Sequence, residues 1–107
     1  MKVELVQGTL DMLILKALSG EARHGYGVAR WLEETTGDAL RVEEGSLYPA
    51  LHRMEKAGYI SAKWGVTENG RRARFYRLTR TGRARLKSAE ENWGLLTEGV
   101  RRVLGWA

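Results

Sequence analysis

At 107 residues and 12.1 kDa, with 43% hydrophobic and 29% charged residues, the chain has apolar material for one packed domain and too little length for an enzyme built round a large cleft. Cysteine is absent, which removes disulfides, thiolate metal sites and cysteine nucleophiles together and fits a reducing compartment. The net charge of +5 is unevenly spread: residues 1–60 hold 7 bases against 9 acids, and residues 61–107 hold 11 against 4.

Near the N-terminus the apolar run Met12 to Leu15 is bracketed by Asp11 and Lys16, so neither a signal peptide nor a membrane span can be drawn, and a soluble cytoplasmic protein is expected. Leu10, Leu13, Ile14, Ala17 and Leu18 recur at helical spacing and predict a first helix, with Thr9 available as its cap and Ser19-Gly20 ending it. Met12 and Leu15 fall on another face, so this helix is expected to touch something beyond its own core. Val28, Trp31 and Leu32 predict a second helix stopped at Gly37. Pro49 is tolerated in a first turn and not in a helix interior, which puts the start of a third helix near Gly45 or Ser46, with Ser46 as its cap. Leu47, Leu51 and Met54 form its buried stripe and Gly58 closes it. Ser46, Pro49, Arg53 and Lys56 then lie on the opposite face, with Tyr48 and His52 along the flank.

At Ile60, Ala62, Trp64 and Val66 the period changes from 3.6 to 2, the mark of a strand. Asn69-Gly70 predicts a tight hairpin turn of type I′, and Arg74 to Leu78 forms the returning strand. Adjacent Phe75 and Tyr76 offer an aromatic to each face, so the register stays open. From Thr79 onward Leu86, Ala89, Trp93, Leu96, Val100, Val103 and Ala107 are spaced alternately by three and four, a heptad seam. A helix from Thr79 to the end would be roughly 40 Å long, more than a three-helix core of this size can cover. Its far half needs another partner, and a second copy of the chain is the simplest supplier.

Three helices, a hairpin and a long helix make a mostly α chain with a small β-hairpin: a winged helix-turn-helix followed by a C-terminal dimerisation helix, with residues 1–78 as the DNA-binding part and 79–107 as the dimerisation part of one structural unit. Residues 61–87 carry Lys63, Arg71, Arg72, Arg74, Arg77, Arg80, Arg83, Arg85 and Lys87 against Glu68 alone. This cluster falls on the hairpin and the turn after it, where a wing meets a DNA backbone, so a polyanion is the expected partner. Solvated basic surface, or contact with an acidic protein through a winged-helix interaction module, is the alternative reading of the same charge.

The runs Gln7-Gly8-Thr9-Leu10-Asp11, His24-Gly25-Tyr26, Glu44-Gly45-Ser46-Leu47-Tyr48-Pro49-Ala50-Leu51-His52-Arg53-Met54-Glu55, Gly58-Tyr59-Ile60, Gly70-Arg71-Arg72 and Tyr76-Arg77-Leu78-Thr79 with Gly82 resemble the PadR family of bacterial transcriptional regulators, in its branch with a single C-terminal helix. The resemblance implies a homodimeric repressor of a two-fold symmetric operator, often released by a small molecule, with DNA-contacting roles for Tyr48, Arg71 and Arg72. A multidrug-binding branch of that family is similar in having a tryptophan near the position of Trp93, lining a flat slot between subunits. On spacing alone, Trp93 reads first as buried area on the seam.

The expected DNA-contacting residues are Ser46, Tyr48, Pro49, His52 and Arg53 on the third helix, with Arg53 the first candidate for a base contact and a phosphate contact or a salt bridge its alternatives. Lys63, Arg71, Arg72 and Arg74 are expected to meet phosphate or an adjacent minor groove from the hairpin. Met12, Leu15, Leu86, Ala89, Trp93, Leu96, Val100 and Val103 are the expected dimer contacts, and Trp93 the expected site of a small apolar or aromatic effector. His24 and His52 have no ligands at metal spacing, and no nucleophile triad, paired carboxylates or phosphate loop stands out, so neither metal, cofactor nor enzyme activity is expected.

Overall fold

The computed structural model describes residues 5–106. The elements run α1 (Gln7–Ala17), β1 (Arg23–His24), α2 (Gly25–Thr35), α3 (Glu44–Lys56), β2 (Ile60–Val66), β3 (Arg72–Leu78) and α4 (Arg80–Leu104). This is a winged helix-turn-helix with a long C-terminal helix. One core runs through it. Ile14 and Leu15 of α1, Val28 of α2 and Leu47, Leu51 and Met54 of α3 are fully buried, and Ile60, Tyr76 and Leu78 close the open side from the hairpin. Each such apolar side chain contributes about 1.5–3 kcal/mol on leaving water, and the stripes seen in the sequence are the surfaces through which the three helices meet.

Glycine stops α3 as expected. Gly58 has φ +84°, and the N–H groups of Tyr59 and Gly58 donate to the carbonyls of Met54 and Glu55, each at 3.0 Å. The helix starts differ from expectation. α1 begins at Gln7 behind Val6 and no side chain caps it, so Thr9 lies within the helix. α3 begins at Glu44 behind Glu43, which places Ser46 inside its first turn and Pro49 inside the helix proper. Proline already has a helical φ, and what it forfeits is one bond to the Gly45 carbonyl on an exposed turn, where water can replace it. Position-specific cost, not a ban, governs proline here.

The sheet has three strands in the order β1-β3-β2, all antiparallel. β1 is only two residues long, too short to show a period. The hairpin turn is not type I′: among the described non-glycine residues only Asp38 has positive φ. Gly70 N–H donates to the Thr67 carbonyl at 2.9 Å, Thr67 N–H to the Arg71 carbonyl at 2.8 Å, and Gly70 has φ +77°. That is a three-residue loop, a turn followed by a glycine bulge. Register follows from the core: Tyr76 and Leu78 point inward opposite Ala62 and Ile60, and Phe75 covers Gly65 on the other face.

Thr79 starts α4 and ties it to the end of α3. Its hydroxyl donates to the Gly58 carbonyl at 2.6 Å and accepts from Gly82 N–H at 3.0 Å, while its own N–H donates to the Tyr59 carbonyl at 3.1 Å. The first half of α4 then packs along α1, with Leu86 in the core, Ala89 against it, and Lys16 paired to Glu90 at 3.6 Å. This corrects the expected dimer surface. Leu15 is 1% exposed, and Met12 and Leu86 are buried, so they and Ala89 hold α4 to its own domain. The second apolar side of α1 meets this helix, which a scan of α1 alone has no means of locating.

Beyond that point the helix is open. Trp93, Leu96, Val100 and Val103, the remaining described seam positions, are all exposed, Val103 at 86%, and Leu95, Leu104 and Trp106 widen the apolar strip, while Ala107 lies outside the described residues. No helix of the described residues is long and apolar enough to cross a membrane.

Candidate nucleic-acid interface

The N-terminal half of α3, the start of α2 and the inner face of the hairpin surround one groove of about 930 Å³. Tyr48, Arg71, Arg72 and Arg74 line it, so four of the expected contact residues from two distant segments meet there. Tyr48 is placed by glycine. Its ring lies over Gly25, where an added Cβ would stand 2.7 Å from Cε1 and 3.1 Å from the hydroxyl oxygen. The His24-Gly25-Tyr26 run therefore has a steric reason: the first residue of α2 must lack a side chain for Tyr48 to project into the groove. His24 supports the same turn, its Nδ1 accepting from Gly27 N–H at 3.1 Å and its ring standing edge-on to Phe75 at 5.2 Å.

Pro49, His52 and Arg53 line a neighbouring hollow on the outer face of α3, again with Tyr48 at its edge, and Ser46 is exposed one turn earlier. Lys63 does not join the groove. It pairs with Phe75 in the register and points to the opposite face of the hairpin from Trp64 and Arg72.

Two of the expected contact arginines are committed within the chain. Arg53 holds both carboxylate oxygens of Asp11 on α1, at 2.7 and 3.1 Å, and Arg74 holds both of Glu55 on α3, at 2.7 and 3.2 Å. Both are forked pairs, the geometry that suits guanidinium best. Arg53 thus follows the salt-bridge reading and braces α3 to α1, and Arg74 braces the hairpin to α3. Burial pushes the Asp11 carboxyl above the ordinary aspartate range in spite of the opposing pull of Arg53 and Arg85. Burial likewise raises the Tyr76 hydroxyl, against the nearby Arg74, so the phenol stays neutral beneath the groove.

Arg71 and Arg72 at the hairpin end are exposed and, among the described residues, make no ion pair. Spacing did not single out Tyr26 and Arg30, which line the same groove, with the guanidinium 5.8 Å from the ring centroid. A tyrosine in the first turn of α2 with an arginine four residues on was the available signal, since both fall on one exposed face. A trough that is aromatic below and cationic at its rim, beside an exposed helix end, suits a nucleic-acid backbone. Among the described residues no three His, Asp or Glu side chains gather as a metal site.

Comparisons with known proteins agree with this geometry. Residues 14–88 match the model of the "Transcriptional regulator PadR-like family". A transcriptional regulator of Mycobacterium tuberculosis is 42% identical over 103 residues, covering 95% of this chain and 89% of that protein. Among solved structures, a transcriptional regulator from Clostridium thermocellum superposes with a TM-score of 0.82 at 30% identity, covering 90% of this chain and 93% of the other. A PadR family regulator from Eggerthella lenta superposes with a TM-score of 0.78 at 31% identity, covering 92% and 83%. The matched span holds α2, α3 and the hairpin, the elements that build the groove, together with the first turns of α4. The chain belongs to the PadR-like family, whose members are DNA-binding transcriptional regulators and not enzymes.

Proposed function

We propose that this regulator works as a homodimer that represses transcription from an inverted-repeat operator and is released by a small apolar or aromatic effector. The observation that carries the reading is the division of α4. Its first half is covered by α1, and its second half leaves Trp93, Leu96, Val100 and Val103 exposed among the described residues. Exposed apolar strips of this kind mark interaction surfaces. A two-fold pairing along the strip covers it and presents two copies of α3 and the hairpin to one duplex. In this reading residues 1–78 bind DNA and residues 79–107 join the copies.

Ser46, Tyr48, Pro49 and His52 offer α3 to the major groove, and Arg71 and Arg72 hold phosphate. Trp93, 44% exposed where the covered half of α4 ends, is the place for a planar effector between the two helices.

Sedimentation at micromolar concentration should give a dimer, and Leu96→Asp or Val103→Asp should give folded single chains that bind duplex DNA more weakly. Fragment selection from genomic DNA should enrich one short inverted repeat. Affinity should fall steeply with salt, and Arg71→Ala should lower the log–log slope by about one. Single chains in the wild type, or affinity flat across salt with capture of acidic proteins in place of DNA, would overturn the proposal.

A further inference from the structure

The inner face of the hairpin carries aromatic and guanidinium groups in alternation from core to tip. Tyr76 is buried at the base, and the Arg74 guanidinium lies 5.9 Å from its ring centroid. Trp64 pairs across the strands with Arg74, and Arg72 is its diagonal neighbour on the same face. The Arg72 guanidinium lies 4.9 Å from the Trp64 ring centroid, the shortest of the five arginine–aromatic stackings among the described residues.

The two arginines have opposite fates. Arg74 is neutralised by Glu55 in a forked pair. Arg72 meets no described carboxylate, so its charge is intact while its side chain is held against an indole. Trp64 itself is 63% exposed and fills no core. A large aromatic on the open end of a two-stranded hairpin brings little packing, yet it restricts a flexible arginine to one direction. Contact with a ring face uses none of the guanidinium N–H donors, and among the described residues the Arg72 side chain makes no ion pair.

We infer that Trp64 is a positioning residue that holds Arg72 ready for duplex DNA, and that the pair gives the wing a preference for a narrow, A/T-rich minor groove beside the α3 site. Such a groove concentrates negative potential and accepts a pre-directed guanidinium at low entropic cost. The inference rests on DNA binding through the wing and adds a residue outside the expected contact set.

The test uses the full chain and two duplexes of equal length, one A/T-rich and one G·C-rich, in a fluorescence anisotropy titration. Wild type should favour the A/T-rich duplex. Arg72→Ala and Trp64→Ala should each weaken that complex by roughly threefold to tenfold and bring the two duplexes toward equal affinity. The double variant should be no weaker than either single one, because the residues act as one unit. Trp64→Phe, which keeps a face, should retain most of the preference. Thermal unfolding of each variant should match wild type, since both residues are exposed.

Additive losses in the double variant would make Trp64 an independent contact and overturn the inference. So would a Trp64→Ala protein that keeps wild-type preference. In either case salt-dependent binding that responds to Tyr48→Ala and Arg71→Ala would leave the wider DNA reading standing. Loss of all duplex binding in the wild type would remove both.

Discussion

Arg53 and Asp11, 42 positions apart in the sequence, share a forked ion pair that fastens α3 to α1, the first helix of the domain. The residue best placed by sequence to read a base is thereby a brace. Arg53→Ala should lower unfolding free energy by about 0.5–1 kcal/mol, the pair being partly open to solvent. Asp11→Ala should cost a similar amount, and the double variant no more than either. Urea unfolding of the cycle checks this, and full additivity would contradict it.

The same pair has a pH signature. Burial raises the folded-state pKa of Asp11 above its ordinary value of 3.8, so the folded chain holds that proton more tightly than the unfolded chain. The stability contributed is complete below the unfolded pKa and disappears as pH rises through the raised folded value. Relative to Asp11→Asn, the wild type should therefore lose stability on going upward through that window and then level off. Unfolding of both proteins across acid pH measures the difference; a relative gain with rising pH would mean that the attraction of Arg53 outweighs burial.

Gly82 and Gly94 both lie in α4 and should respond oppositely to alanine. A Cβ on Gly82 would run into the Tyr59 carbonyl, whereas one on Gly94 meets nothing within 4 Å. Gly82→Ala should destabilise by about 2–3 kcal/mol through forced separation of α4 from the end of α3. Gly94→Ala should stabilise by about 0.5–1 kcal/mol through helix propensity. Thermal unfolding distinguishes the two.

Gly25→Ala should disturb binding more than folding. The atoms it would meet belong to the far end of Tyr48, a half-exposed ring that can swing aside. The variant should keep near-wild-type stability and match Tyr48→Ala in its loss of DNA affinity or sequence preference. An unchanged operator affinity would show that the ring position is irrelevant to recognition.

Arg74 and Glu55 should behave as one unit in stability. Each alanine variant is expected to cost about 0.5–1 kcal/mol, with no further loss in the double variant. Arg74→Lys should recover little, because an ammonium reproduces neither the two parallel bonds nor the stacking on Tyr76. Chemical denaturation of the four proteins is sufficient.

The order of elements was legible from Leu10, Leu47, Leu51 and Met54, whose spacing reports burial directly, and from the change of period at Ile60. Gly37 and Gly58 announced their stops because positive φ there is local chemistry. What escaped depended on distant partners. The partner of Arg53 went unnamed and Arg74 looked like a free charge because Asp11 and Glu55 lie 42 and 19 positions away, and no local pattern pairs them. Met12 and Leu15 looked outward for the same reason, their cover being a helix some 70 residues on, at ordinary tertiary range. The cap of α3 was misplaced by reading proline as a boundary, and the strand at Arg23 and His24 is too short for any periodicity to reveal.

The shared hydroxyl of Thr79 has a mechanical meaning. Since one side chain bonds both the residue that ends α3 and the first turn of α4, the two helices are joined at one point, as a crank is to its shaft. If two shafts are joined back to back, a few degrees of roll between them alters the separation of the cranks, and with it their fit to grooves about 34 Å apart along B-form DNA. A compound wedged between the shafts would then need to touch neither α3 nor the duplex to loosen the grip.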